Sequence, residues 1–189
     1  MEKRHRVFIA INLPEEIKRE LFTYSEKWPE LPAKWTSKDN LHITLEFLGS
    51  LTDEEVGEVC VITKEVAERH GSFSLNVNQI LYGPPKKMPP RMVWVQGDKS
   101  KELSLLREDL ENSLTEKIRF VPENRTFAPH ITLARISAWE FRGIEPEERP
   151  EINEKIDLLF TVESVEVMES ELHRGGPQYT ILESHNLNP

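Results

Sequence analysis

Val7 to Leu13 is a short apolar run rich in β-branched residues, the pattern of a buried central strand. Pro14 then opens an acidic stretch in which Ile17, Leu21, Tyr24 and Trp28 recur at helical spacing, so the predicted order is strand, then helix. Leu41 to Leu48 predicts a second strand. Thr52 and Glu55 fit a reciprocal cap ahead of Val56, Val59, Cys60 and Thr63, which predicts a second helix. Phe73 to Leu81 alternates as a strand. Gly83 to Arg91 carries four prolines with Lys86, Lys87 and Arg91, and predicts an extended loop. Met92 to Gln96 returns to strand, and Leu103, Leu106, Leu110 and Leu114 form the core stripe of a third helix. Ser137 to Glu154 is acidic, holds Pro146 and Pro150, and has no period, which predicts a surface insertion. Two strands, Leu158 to Met168 and Gln178 to Ser184, are expected around a Gly175-Gly176-Pro177 turn.

One tetrad occurs twice in this pattern: His42-Ile43-Thr44-Leu45 and His130-Ile131-Thr132-Leu133. The copies lie 88 positions apart (130 − 42) in a chain of 189 residues, close to half its length. Duplication at that spacing predicts two related lobes, each supplying one copy, within a single domain spanning residues 1–189. The class expected is α+β with mainly antiparallel strands.

Composition narrows the partners. A net charge of −9 argues against broad, sequence-independent binding of a long nucleic acid, which calls for clustered Lys and Arg. Any phosphate recognition must be local. Cys60 is the only cysteine, so no intrachain disulfide forms; it is expected to be core packing, and a cytoplasmic location is expected. No apolar run approaches the roughly 20 residues that cross a bilayer, so no membrane partner is expected. Val7 to Leu13 ends at Pro14-Glu15-Glu16 without a cleavage site and suits a first strand better than a signal peptide.

Side chains alternate along a strand, so His42 and Thr44 share one face while Ile43 and Leu45 take the other, and the second tetrad repeats this parity. Pro129 suits the first position of the second strand. Two such strands across a groove present two imidazoles and two hydroxyls to one ligand. Histidine titrates near neutrality, so one copy can accept a proton while the other donates one. Opening a cyclic phosphodiester needs both tasks, and threonine hydroxyls can hold the non-bridging oxygens. A single H-x-T in a strand is commonplace; two identical tetrads at matched positions point to one shared site. A zinc site competes for the histidines, but spacing such as H-E-x-x-H is absent, and His5, His70, His173 and His185 are isolated and expected to be solvated. No metal or other cofactor is therefore expected. No Walker-type loop, G-x-S-x-G elbow or paired-Cys motif occurs.

These residues resemble the two-histidine (2H) phosphoesterase superfamily, defined by paired H-x-[ST]-x motifs. Leu41 to Gly49, Arg125 to Arg135 and Gly175 to Tyr179 are similar to its RNA 2′,3′-cyclic phosphodiesterase branch, formerly called 2′-5′ RNA ligase. The resemblance implies a bilobed, pseudo-symmetric fold whose sheets line a central groove, with helices outside. It also implies hydrolysis of an RNA 2′,3′-cyclic phosphate to a 2′-phosphomonoester without metal, with His42 as proton donor and His130 as proton acceptor. Nothing within the identical tetrads distinguishes the two roles. Substrates on this reading are RNA ends or small nucleotides bearing a 2′,3′-cyclic phosphate, handled by a monomer. Arg135 resembles a phosphate-neutralising arginine, although strict alternation points it away from His130 unless a bulge intervenes. Phe47 and Tyr179 resemble groove-lining positions able to stack on a base. Glu46 stands where a basic residue is usual, and by parity it would share the face of His42. The alternatives are ATP-independent ligation, the reverse reaction, and a non-catalytic nucleotide- or RNA-binding module. Lys86, Lys87 and Arg91 could contact RNA, but a solvated charge run is the plainer reading.

Overall fold

The computed structural model describes residues 3–118, 120–123 and 127–189; Arg125 and Thr126, quoted above at the head of the second motif, lie outside the described residues. The apolar opening run forms β1 (His5–Asn12), and α1 (Glu15–Thr23) follows Pro14. A short strand not anticipated from the pattern, β2 (Ala33–Trp35), precedes β3 (His42–Leu51). Then come α2 (Asp53–Ala67), β4 (Phe73–Gly83), β5 (Met92–Gly97), α3 (Lys101–Lys117) and β6 (Ile131–Ile136). The chain ends with α4 (Ala138–Arg142), β7 (Asn153–Val162), β8 (Ser164–His173) and β9 (Gly176–Asn186).

The predicted cap of α2 is present in full: Glu55 N donates to Thr52 Oγ1 at 3.2 Å, and Thr52 N donates to Glu55 Oε2 at 2.7 Å. The leucine stripe of α3 is entirely buried. Two expectations near the C-terminus fail. Ser137 to Glu154 is not a surface insertion: it holds α4, whose Phe141 is 1% exposed, and Ile152 is buried as well. The segment thus anchors in the core through single apolar residues, a pattern too sparse to show a period. The expected strand from Leu158 to Met168 is two strands that part at Glu163, so the region carries three strands rather than two.

Among the described residues nine strands form one antiparallel sheet in the order β7-β4-β5-β6-β3-β1-β8-β9, with β2 added against β6. The order is symmetric about the β6–β3 contact, where β5 flanks β6 as β1 flanks β3. The halves of the chain are not the halves of the sheet. β4 comes from the first half yet pairs with β5, and β8 comes from the second half yet pairs with β1. Helices α2 and α3 pack together on one face, where the main core lies. On the opposite, open face Phe8, Ala10 and Met168 form a small second cluster with Tyr179.

His5, expected to be solvated, is buried at the root of β1. Its Nδ1 lies 2.6 Å from Glu169 Oε1 on β8, and its Nε2 lies 2.8 Å from Asp53 Oδ1 at the start of α2. Hydrogen bonds to Glu169 and then Asp53 raise its pKa above the usual value, against the desolvation that lowers it. A raised folded-state pKa stabilises the fold fully below about pH 6.5 and loses that contribution as pH climbs through the folded value. His5→Gln should therefore lower the melting temperature at pH 6 by more than at pH 9, as thermal unfolding at the two pH values would measure; an equal loss at both would overturn the linkage.

Candidate active site

The two tetrads meet side by side. β3 and β6 run antiparallel and pair at Ile43 and Ile131, the second residue of each tetrad. Both isoleucines are buried towards the helices, so parity turns the flanking His and Thr residues of both strands to the open face.

Each motif strand then breaks alternation at the same place. Along β1, Ala10 pairs with Thr44 and Ile9 with Glu46, so Leu45 is an extra residue; along β5, Trp94 pairs with Thr132 and Val93 with Ala134, so Leu133 is extra. These matched β-bulges put two consecutive side chains on the helix side, Leu45 with Glu46 and Leu133 with Ala134, all buried. The next residues, Phe47 and Arg135, are exposed. Arg135 thus returns to the open face, with Nη1 3.9 Å from Met92 Sδ, which lies 4.0 Å from Thr132 Oγ1. Phe47, at the equivalent position, faces Phe8 with ring centroids 6.2 Å apart.

The bulge also overturns the expectation for Glu46, which does not share the face of His42. It is 3% exposed on the helix side, where Oε1 is ion-paired with Arg107 Nε of α3 at 2.7 Å. Burial pushes its carboxyl up to about 7, against the lowering pull of Arg107. Its charge therefore does not weaken the open face for a polyanion.

His42 donates or accepts at both ring nitrogens: Nδ1 lies 2.7 Å from Asn40 O, and Nε2 lies 2.9 Å from Thr44 Oγ1. The carbonyl can only accept, so it fixes the proton on Nδ1 and turns Nε2 towards the threonine. Tyr179 meets the imidazole edge-on at 5.2 Å and Phe8 tilts over it at 5.0 Å. Burial lowers the His42 pKa to about 4, with Lys18, His130 and Arg135 adding repulsion and the Asn40 bond opposing. His130 repeats the tautomer device, its Nδ1 2.8 Å from Ala128 O, but stacks flat on Trp94 with centroids 3.8 Å apart.

Lys18 was missed by sequence reasoning. Its ammonium is buried and donates to Asp39 O at 3.0 Å, in the turn whose next residue, Asn40, orients His42. Only the helical stripe hinted at its inward side, through its neighbour Ile17. Among the described residues no group of three or more His, Cys, Asp or Glu is gathered as for a metal.

The LigT like Phosphoesterase family model matches this chain twice, over residues 11–94 and 95–179. The chain belongs to the LigT-like phosphoesterase family. Each matched half contains one tetrad. The RNA 2′,3′-cyclic phosphodiesterase of Thermotoga maritima is 31% identical over 182 residues, covering 94% of this chain and 92% of that protein. The protein of that name from Thermus thermophilus is 30% identical, covering 96% and 90%. Among solved structures, E. coli LigT complexed with 3′-AMP is similar at a TM-score of 0.79 and 26% identity, covering 99% of this chain and all of that one.

The Glu46–Arg107 pair gives a stability test. Arg107→Ala leaves a carboxyl buried without its partner and should destabilise the fold by roughly 3 kcal/mol, whereas adding Glu46→Leu should recover most of that loss. Urea unfolding of the single and double variants measures both; two additive losses would contradict the burial described.

Proposed function

We propose that the chain hydrolyses RNA 2′,3′-cyclic phosphodiesters to 2′-phosphomonoesters by proton transfer between His42, His130 and the substrate, without a metal step. The observation that carries this reading is the Ile43–Ile131 pairing, which turns two imidazoles and two threonines to one face. Membership of the LigT-like family and the relatives named RNA 2′,3′-cyclic phosphodiesterase support the substrate class.

In the reaction, water gives a proton to His130 as its oxygen attacks phosphorus. The bond from phosphorus to O3′ breaks, and O3′ leaves with the proton of His42, giving a 2′-phosphate and a free 3′-hydroxyl. Water is the only co-reactant, and the next turnover needs only proton exchange between the two histidines and solvent. Thr44 and Thr132 donate to the non-bridging oxygens, where charge builds in the five-coordinate state. Thr44 can serve the acid and then the phosphate: as Nε2–H of the protonated His42 turns from Oγ1 to O3′, the threonine hydroxyl keeps its own proton to donate to the phosphate. Before substrate arrives His42 is neutral at pH 7, its pKa standing near 4. A phosphate anion beside it offsets the neighbouring cations and favours the protonated donor.

His42→Ala and His130→Ala should each lower kcat by about 10² to 10⁴, the double variant far less than the product of the two, and Thr44→Val and Thr132→Val should cost less. The assay is an oligonucleotide ending in a 2′,3′-cyclic phosphate, opened by EDTA-treated protein, with the product end mapped. A 3′-phosphate product, or no product, would overturn the reading.

Lys18 gives a pH test of the donor. Removing its repulsion in Lys18→Met should move the acidic limb of the kcat/KM profile upward from about pH 4, part of the way towards 6.5, while Lys18→Arg should keep it low. An unmoved limb in Lys18→Met would remove Lys18 from the electrostatics of His42.

A further inference from the structure

Beyond the two histidines the open face carries a second cationic feature. β2 pairs with β6 so that Lys34 stands directly opposite Arg135. Opposed residues of an antiparallel pair project to the same side, so two cationic side chains leave one face from adjacent strands, a pairing that destabilises a sheet when no anion lies between them. Both are exposed, and neither has an ion-pair partner among the described residues. They border a hollow of about 550 Å³ whose other lining includes Ala33, Ser137 and Glu140.

Lys34 also reaches across the open face. A Cβ on Gly176, in the turn between β8 and β9, would lie 2.9 Å from Lys34 Nζ; Gly176 has φ +126°, so only glycine suits this approach. The same turn is held from the other side, where Asn40 Nδ2 donates to Pro177 O at 2.7 Å, two residues before His42. The cationic pair therefore lies at the end of the face near the reacting centre. Because of the bulge at Leu133, Thr132 and Arg135 stand opposite Trp94 and Met92, two positions apart on β5 and so on the order of 7 Å along the strand, which suits a phosphate one nucleotide removed from the one being opened.

We propose that Lys34 and Arg135 form a second phosphate subsite, which takes the phosphate on the 5′ side of the terminal cyclic nucleotide. This rests on the reaction proposed above and narrows its substrate to RNA ends and 5′-phosphorylated nucleotides, over nucleosides bearing the cyclic phosphate alone. The guanidinium grips the anion through its planar fork and the ammonium supplies a mobile point charge. A strongly acidic chain places two cations here with no ion-pair partner among the described residues, and confines phosphate binding to one further unit rather than a long track.

The test compares cytidine 2′,3′-cyclic phosphate with and without a 5′-phosphate. The wild-type protein should prefer the 5′-phosphorylated form by about tenfold in kcat/KM. Lys34→Ala should bring that ratio close to one, Lys34→Arg should keep most of it, and Lys86→Ala with Lys87→Ala, in the proline-rich loop, should leave it as in the wild type. With a dinucleotide substrate, Lys34→Ala should also flatten the slope of log affinity against log salt by about 0.7. No preference in the wild type, or an equal fall on both substrates in Lys34→Ala, would overturn the subsite while leaving the reaction intact. If neither substrate is opened, the proposed reaction fails instead, and calorimetric titration of cytidine 3′,5′-bisphosphate against the 3′-monophosphate still decides the subsite. Tighter bisphosphate binding lost in Lys34→Ala supports it, and equal affinities refute it.

Discussion

The contact of Ile43 with Ile131 is the constraint on which the remaining geometry rests. Each isoleucine is the buried second residue of its tetrad, and burial fixes register because a one-residue slip would turn both histidines into the core. An imidazole there would be desolvated without partners, so the apolar and polar halves of the tetrad enforce the same register. The strands continue past this contact into equivalent bulges at Leu45 and Leu133, which set what each lobe offers beyond the tetrad: an aromatic ring at Phe47 and a guanidinium at Arg135.

Much of this was legible in the chain. Apolar runs and leucine spacing gave β1, β3, β5 and α3 with small boundary errors, because each buries one face over several residues and so repeats its period. What stayed hidden depends on partners far away in sequence. β2 is three residues long and exists only because β6 lies beside it. The core role of 137–152 rests on Phe141 and Ile152, single residues amid charge. The exchange of β4 and β8 across the sheet is a matter of topology, which duplicated motifs announce only as two halves.

The site divides in the same way. His42, Thr44, His130 and Thr132 stood out because the tetrads repeat and because strand parity is local. Arg135 reaches the open face only through a bulge, which the paired register supplies; the equivalent bulge in the first tetrad strand turns Glu46 to the core, where parity alone puts it beside His42. Lys34 and Trp94 carried no local signal, and Lys18 only the inward side of its helical stripe, through Ile17. A lysine on an acidic helix, a lysine between an alanine and a tryptophan, and a tryptophan in an apolar strand are ordinary until the fold brings them to the open face and its histidines.

Identical tetrads need not behave identically, and here the surroundings separate them. Equivalent positions on the flanking strands hold Ala10 beside Thr44 but Trp94 beside Thr132. The indole lies flat against His130 and fixes the plane of its ring. His42 has no such platform: it is enclosed by Phe8 and Tyr179 and repelled by Lys18, so charge on it is expensive until an anion arrives. On the proposed reaction this difference has a direction. A donor that is neutral when the site is empty holds its proton only beside a bound phosphate, so the acid is armed by the group it is to open.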